Sequence, residues 1–397
     1  MVFHAPARHR ILMLLVLVLV GINMRPLLTS IGPLLPELRR ATGMSFVTAS
    51  LLTALPVVAM GVMALAGSWV NGLLSQRAGV ALSLAMIILG ALAREMAPNS
   101  AMLLTSALLG GIGIGVIQTI MPALIKHLFQ RHMPPVMGLW SAALMGGGGL
   151  GAALTPWIAG HSEFWYRALA WWALPAAVAL LGWWYQSRHL TEPARGGGTA
   201  AIRISRHPRT WTLGLYFGAI NGGYASLIAW LPPYYIQLGN TPQYSGSLLA
   251  LMTLGQTAGA LLLPMLARHE DRRRLLLLAL ALQLVGFCGL ICCPQTLPAA
   301  WAIICGLGLG GAFPLCLVLA LDHAAHPAVG GRLAAFMQGA GFIIAGLSPW
   351  LSGILRSASG DYLLDWGFHA ACVAGLMLLT LRFGPNGYPQ AWRSKEA

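Results

Sequence analysis

Apolar runs of about twenty residues recur along the whole of this 397-residue chain, and no other feature constrains its fold as strongly. A helix of that length covers a hydrocarbon core of about 30 Å. Lipid offers no partner to a bare backbone amide, so each run must satisfy its own hydrogen bonds as a helix, and the alternating pattern of a barrel strand is absent. Only 9% of the residues are charged and 57% are hydrophobic, far from the roughly 25% charge of a soluble domain. The expectation is an all-α integral membrane protein lodged in a lipid bilayer.

Apolar runs between charged or turn-rich breaks place spans near 11–36, 46–74, 80–97, 101–125, 135–160 and 164–186. A second set lies near 211–236, 245–267, 275–293, 297–321, 331–355 and 363–382. The first run is read as a retained helix, since no small-residue cleavage site follows it. The longest hydrophilic stretch, SRHLTEPARGGGTAAIRISRHPR, falls between the two sets. It divides the chain into a six-helix bundle over 1–187, a cytoplasmic linker over 188–210 and a second six-helix bundle over 211–397. With the N-terminus inside, eighteen basic residues fall on the cytoplasmic side and five, Arg39, Arg40, Arg94, Arg167 and Arg356, on the other. The positive-inside rule then puts both termini in the cytoplasm.

The formal net charge of +14 is scattered between spans and forms no continuous stripe, so it speaks for topology and against nucleic acid. None of the six cysteines has zinc-ligand spacing with histidine, and all lie in or near apolar spans, where cysteine packs as a small hydrophobe. No cofactor or metal is called for, and no nucleophile, base or metal constellation marks an enzyme. A sensor would need a sizeable soluble output domain, and the longest loop is only the linker. The reading has the protein acting as a monomer.

The two halves resemble each other at an offset of about 195 residues: GGIGIG at 110–115 with GLGLGG at 306–311, LTPWIAG at 154–160 with LSPWLSG at 347–353, and SLLTAL at 50–55 with SLLALM at 247–252. Such a repeat is the mark of a transporter whose two bundles rock about a central site.

Arg25 lies about fifteen residues into the first span, in GINMRPLLTS. Exposed to lipid there, it would cost at least ~2.5–3.5 kcal/mol, so it must face the bundle interior or a wet cavity. Glu37, Glu95, Glu163, Asp361 and Asp365 fall near the outer ends of spans, and the other acidic residues at or beyond the inner ends. No carboxylate is expected at the level of Arg25. Two roles stay open: the guanidinium binds an anionic substrate, or it donates to carbonyls and amides and braces the fold.

Other polar groups fall at comparable depth. Asn23 precedes Arg25; Asn221 and Tyr224 lie on the seventh span, the repeat-mate of the first; Gln256 lies midway along the eighth. Gln118 and Gln338 lie toward the cytoplasm on the fourth and eleventh. Each either lines the cavity or satisfies a neighbouring helix. Trp140, Trp230 and Phe342 either wall the cavity or pack. His369, on the twelfth span, is the one titratable group near the core that a proton carrier would use, but a lone histidine is more often a hydrogen-bonded helix contact.

Together these features resemble the major facilitator superfamily. GLLSQRAG at 72–79 keeps part of that superfamily's loop motif: Gly72, Leu74, Arg77 and Gly79 match, while Gln76 stands where aspartate is usual and Val80 where a basic residue is usual. NMRPLLTS at 23–30, LWSAALMGGGGLGAALTPW at 139–157, INGGYASLIAWLP at 220–232 and YSGSLLALMTLGQ at 244–256 resemble its branch of cyanate permeases and 2-nitroimidazole exporters. The resemblance implies a twelve-helix fold of two pseudo-symmetric bundles and a secondary transporter in the bacterial inner membrane. It implies cyanate as substrate, with export of neutral heterocycles such as 2-nitroimidazole as the alternative. Arg25, Asn23, Asn221, Tyr224, Gln256, Gln118, Gln338 and Trp140 are the expected substrate contacts.

Overall fold

Pro26 decides the shape of the first span. Its ring removes the amide that would bond the Ile22 carbonyl and pushes the preceding residue away from helical geometry. The span is accordingly broken: α1 runs Ala7–Ile22, Asn23 to Arg25 form a turn, α2 is Pro26–Thr29 and α3 is Ile31–Thr42, closed by Gly43 in the left-handed conformation at φ 70°. An unbroken helix over 11–36 is therefore corrected to a discontinuous one. The structure, a computed structural model, describes residues 7–96, 99–129, 133–190, 204–266, 271–323 and 327–384.

The other helices follow the apolar runs closely. The second span is α4 (Phe46–Leu65), extended by α5 (Gly67–Leu73); the third is α6 (Gln76–Met96), the fourth α7 (Ser100–Leu128) and the fifth α8 (Met133–Gly160). The sixth is interrupted, with α9 (Trp165–Ala170) and α10 (Ala173–Gln186). The second set is α11 (Pro208–Gln237), α12 (Pro242–Met265), α13 (Arg273–Cys292), α14 (Pro298–Asp322), α15 (Pro327–Ser359) and α16 (Leu363–Thr380). Eleven stretches among the described residues are long and apolar enough to cross a membrane. The seventh span, α11, brings the number to twelve: its 30 residues reach about 45 Å although Asn221, Tyr224 and its glycines dilute its hydropathy. Side-chain caps set several starts: Ser45, Asn99 and Thr241 accept from the amides of Thr48, Met102 and Tyr244.

Within each set of six, small residues let helices approach as they must in lipid, where close packing replaces the hydrophobic drive. The sets meet through α4 against α15 and α8 against α12, and glycines line the first seam: a methyl on Gly61 would press on the Gly339 carbonyl at 2.7 Å. The first span divides its loyalties. Its N-terminal segment α1 packs on α8 and α10 of its own set, while its C-terminal segment α3 packs on α11 and α12 of the other. LTPWIAG and LSPWLSG both lie in the second half of long helices, α8 and α15, each with an internal proline, Pro156 and Pro349; LTPWIAG ends α8, whereas α15 runs on past LSPWLSG to Ser359. Much of the 188–210 linker, residues 191–203, lies outside the described residues.

Candidate functional site

The break in the first span is held from three sides. Asn23 Nδ2 donates to the Leu19 carbonyl at 2.7 Å and to the Pro175 carbonyl of α10 at 3.1 Å. Gly147 of α8 lies so close to the Ile22 carbonyl, the acceptor that Pro26 leaves unmatched, that any side chain there would collide with it. From the third side comes Arg94. It is 1% exposed; its Nη2 donates to the Leu27 carbonyl at 3.0 Å and its Nε to Ser106 Oγ at 3.2 Å. Arg94 was expected among the outer-side charges. It stands in the last turn of α6, but its guanidinium folds into the protein onto the Leu27 carbonyl of α2, just before the interruption at Ser30 that separates α2 from α3.

Arg25 emerges from this break. It is 8% exposed, and its guanidinium carbon lies 5.4 Å from the centre of the Tyr224 ring on α11. Its Nε is buried without a hydrogen-bond partner, and among the described residues its side chain makes no hydrogen bond or ion pair. Thr29 Oγ1 donates to the Arg25 carbonyl at 3.2 Å, so one turn of the broken helix is pinned to its own side chain. Gly148 marks the meeting point: a methyl there would sit 3.4 Å from Arg25 Cβ, 3.6 Å from Thr29 and 3.7 Å from Thr253. First, fifth and eighth spans thus converge on one spot, with the seventh opposite.

The expected contacts separate into groups. Tyr224 meets Arg25. Asn221, one turn before Tyr224 and 8% exposed, donates through Nδ2 to the Phe217 carbonyl at 2.8 Å. Gln256 lies one turn beyond Thr253, with its Oε1 buried and unpartnered. Trp140 packs on Gly21 of α1, four residues before Arg25. Asn23 faces the sixth span rather than the seventh. Gln118 and Gln338 are half-buried, and among the described residues neither side chain makes a hydrogen bond. Trp230 and Phe342 lie deep in packing. Trp230 Nε1 donates to the Pro349 carbonyl at 3.1 Å and the ring neighbours Phe46 at 6.0 Å, while Phe342 meets Phe217 edge-on at 5.4 Å.

Three groups escaped the sequence reading. Thr29 and Thr253 are inconspicuous hydroxyls in apolar runs, and only the i+4 step from Arg25 to Thr29 was visible beforehand. Arg94 looked like an end-of-helix charge. His369 is not alone: its Nε2 lies 3.5 Å from Asp365 Oδ1, both residues are buried, and the imidazole stacks on Phe287 at 5.5 Å. Asp365 stands at the start of α16, as expected, yet inside the protein.

Further charges lie at the helix ends on the side of the α1 N-terminus. Arg77 of the GLLSQRAG loop lies 5.5 Å from the Trp184 ring of the same six-helix set, and Trp183 Nε1 donates to its carbonyl at 3.0 Å. Arg272 pairs with Asp322 at 2.8 Å. Just beyond α14, His323 Nδ1 bonds the Leu319 carbonyl at 2.7 Å and Nε2 accepts from Arg209 Nε at 3.2 Å. Burial pulls its pKa down to about 4 against the opposing effect of the Leu319 bond.

Among the described residues, twelve spans, eleven of them apolar enough to cross a membrane by composition and α11 the twelfth by length, meet in two sets of six around polar groups and define a transporter fold. The sequence profile described as the Major Facilitator Superfamily matches residues 11–349, and the chain belongs to that family. It is similar to the cyanate transport protein CynX of Escherichia coli (strain K12), with 67% identity over 380 residues, covering 96% of this chain and 99% of that protein. A 2-nitroimidazole transporter of the same organism is 26% identical over 382 residues, covering 95% of each. Among solved structures, the crystal structure of a D-xylose–proton symporter superposes with a TM-score of 0.76 at 14% identity, over 95% of this chain and 98% of that one. This is a multi-pass membrane transporter.

Proposed function

We propose that the protein carries cyanate, a small anion, across the bacterial inner membrane by alternating access, with residues 1–187 and 211–397 as the moving halves and both termini cytoplasmic. One observation carries the reading: Arg25 is a permanent charge at mid-span, buried, unpaired among the described residues, and aimed at an aromatic ring of the opposite half. A guanidinium in that position needs a negative partner, and a substrate anion supplies one with planar, two-pronged hydrogen bonding. The alternative role, bracing by donation to carbonyls, finds support at Asn23 and Arg94 instead. Similarity to a cyanate transport protein favours cyanate over nitroimidazoles, since the nitroimidazole relative is far more distant.

Uptake of labelled cyanate into proteoliposomes, with 2-nitroimidazole as competitor, tests the reading. Saturable cyanate flux that an excess of nitroimidazole leaves unchanged is expected. Flux of nitroimidazole that cyanate does not inhibit overturns it in favour of export of neutral heterocycles.

A further inference from the structure

We propose a second anion site at the outer mouth, made by Arg39 and Arg356, that takes the same class of small monovalent anion as the central site and to that extent rests on the reading above. The two arginines come from opposite halves, Arg39 from the last turn of α3 and Arg356 from the last turn of α15. Both converge on one ring: Arg39 lies 3.4 Å and Arg356 4.5 Å from the centre of Phe46. The two charges therefore sit within one Debye length of each other, about 8 Å in physiological salt. Like charges held so close repel unless something negative lies between them.

A cavity of about 200 Å³ opens beside them, lined by both arginines, Phe46, Gln237 and Tyr362 among others, and no carboxylate is among its lining residues. Water occupies roughly 30 Å³ per molecule, so a triatomic anion fits with some of its hydration. Donors remain to receive it. Arg356 Nη2 donates to Gln237 Oε1 at 2.9 Å, while its Nε is buried without a partner. Arg39 Nε donates to the Met44 carbonyl at 3.0 Å, and among the described residues its terminal nitrogens make no hydrogen bond. Among the described residues neither guanidinium forms an ion pair. The apolar wall of Phe46 and Tyr362 raises the field felt by an anion there, concentrating it at the mouth before the central site receives it.

The competing account is a latch in which the two cations merely clamp the Phe46 ring and hold the mouth shut. Charge and aromatic variants separate the two. The probe is thiocyanate, titrated calorimetrically into purified full-length protein at constant ionic strength. In an Arg25→Gln background, which removes the central site, one thiocyanate site is expected to persist. Adding Arg39→Gln and Arg356→Gln is expected to weaken it at least tenfold, whereas adding Phe46→Leu weakens it less than threefold. If the glutamine pair does not fold, Arg39→Lys with Arg356→Lys keeps the charges but loses the forks, and a several-fold loss is expected. No binding in Arg25→Gln, unchanged affinity in the arginine-pair variants, or an equal loss from Phe46→Leu each overturns the outer site. Two sites in Arg25→Gln, of which the arginine pair removes one, would instead leave the outer site standing and remove the central reading.

Discussion

The Arg25 guanidinium and the Tyr224 ring, 5.4 Å apart, join the first span to the seventh across the boundary between the two halves. The contact holds an otherwise unpaired cation by its face. An aromatic ring contributes about 0.5–2 kcal/mol to such a guanidinium and leaves its N–H edge free to take an anion.

Arg25→Ala is expected to abolish saturable cyanate flux while leaving expression and folding intact, because no hydrogen bond among the described residues depends on the side chain. Arg25→Lys keeps the charge but loses the fork, and partial rescue is expected. Flux and binding on variants matched for melting temperature check this. A stable Arg25→Ala protein that transports normally would assign the charge to another purpose.

Tyr224→Phe retains the ring and is expected to transport nearly as well as the parent. Tyr224→Leu removes the face that holds Arg25 and should weaken apparent affinity by about 1–2 kcal/mol, or roughly 5- to 30-fold. Concentration-dependent uptake reads the difference, and equal loss in both variants would implicate the hydroxyl instead.

Arg94→Met strips the donor from the Leu27 carbonyl and also removes a charge buried among neutral groups. The two changes oppose each other in stability, since an unmet carbonyl costs about 1–3 kcal/mol and relief from burying an unpaired charge offsets it. The expected result is a small shift in melting temperature with a clear loss of cyanate affinity, because the turn that presents Arg25 is no longer fixed. Unchanged affinity would confine Arg94 to the scaffold.

Neighbouring glycines make a sharp test of packing at the break. A methyl on Gly146 meets nothing within 4 Å, whereas one on Gly147 runs into the Ile22 carbonyl. Gly146→Ala should be neutral in thermal unfolding, and Gly147→Ala should cost about 1–3 kcal/mol, as overpacking usually does. Equal melting temperatures would mean that the first and fifth spans are free to separate.

His323 supplies a pH dependence. Its folded pKa, about 4, lies below the ordinary 6.5, so the unfolded chain binds more protons between those values. Stability from this group is complete above about pH 6.5 and declines as the pH falls toward 4. His323→Gln should flatten that part of the pH profile of thermal unfolding. A profile as steep as the parent's would place the sensitivity elsewhere.

Much of the site was legible because a charge inside an apolar run is conspicuous. Arg25 stood out by depth, and Tyr224 by its place on the repeat-mate helix. The polar residues around them carry less information. Asn23 sits two positions from Arg25, but the turn at 23–25 rotates the two side chains apart, one toward Pro175 and the other toward Tyr224. Arg94 and Asp365 both lie in the terminal turns of helices, where sequence suggests an exposed end; both fold inward, one to the Leu27 carbonyl and the other beside His369.

Hydropathy is a one-dimensional property, and lipid forces each span to satisfy its own backbone. For that reason the sequence by itself determined the helical membrane class, the twelve spans and the family. Side-chain direction is a matter of packing. Which face of a helix meets a neighbour depends on the break at Pro26, on glycines that set how closely spans approach, and on carbonyls that need donors. Only the tertiary structure could decide that Arg25 meets Tyr224, that Arg94 donates to the Leu27 carbonyl two residues beyond Arg25, and that Arg39 and Arg356, 317 positions apart in the chain, share the ring of Phe46, because each pairing joins helices remote in sequence.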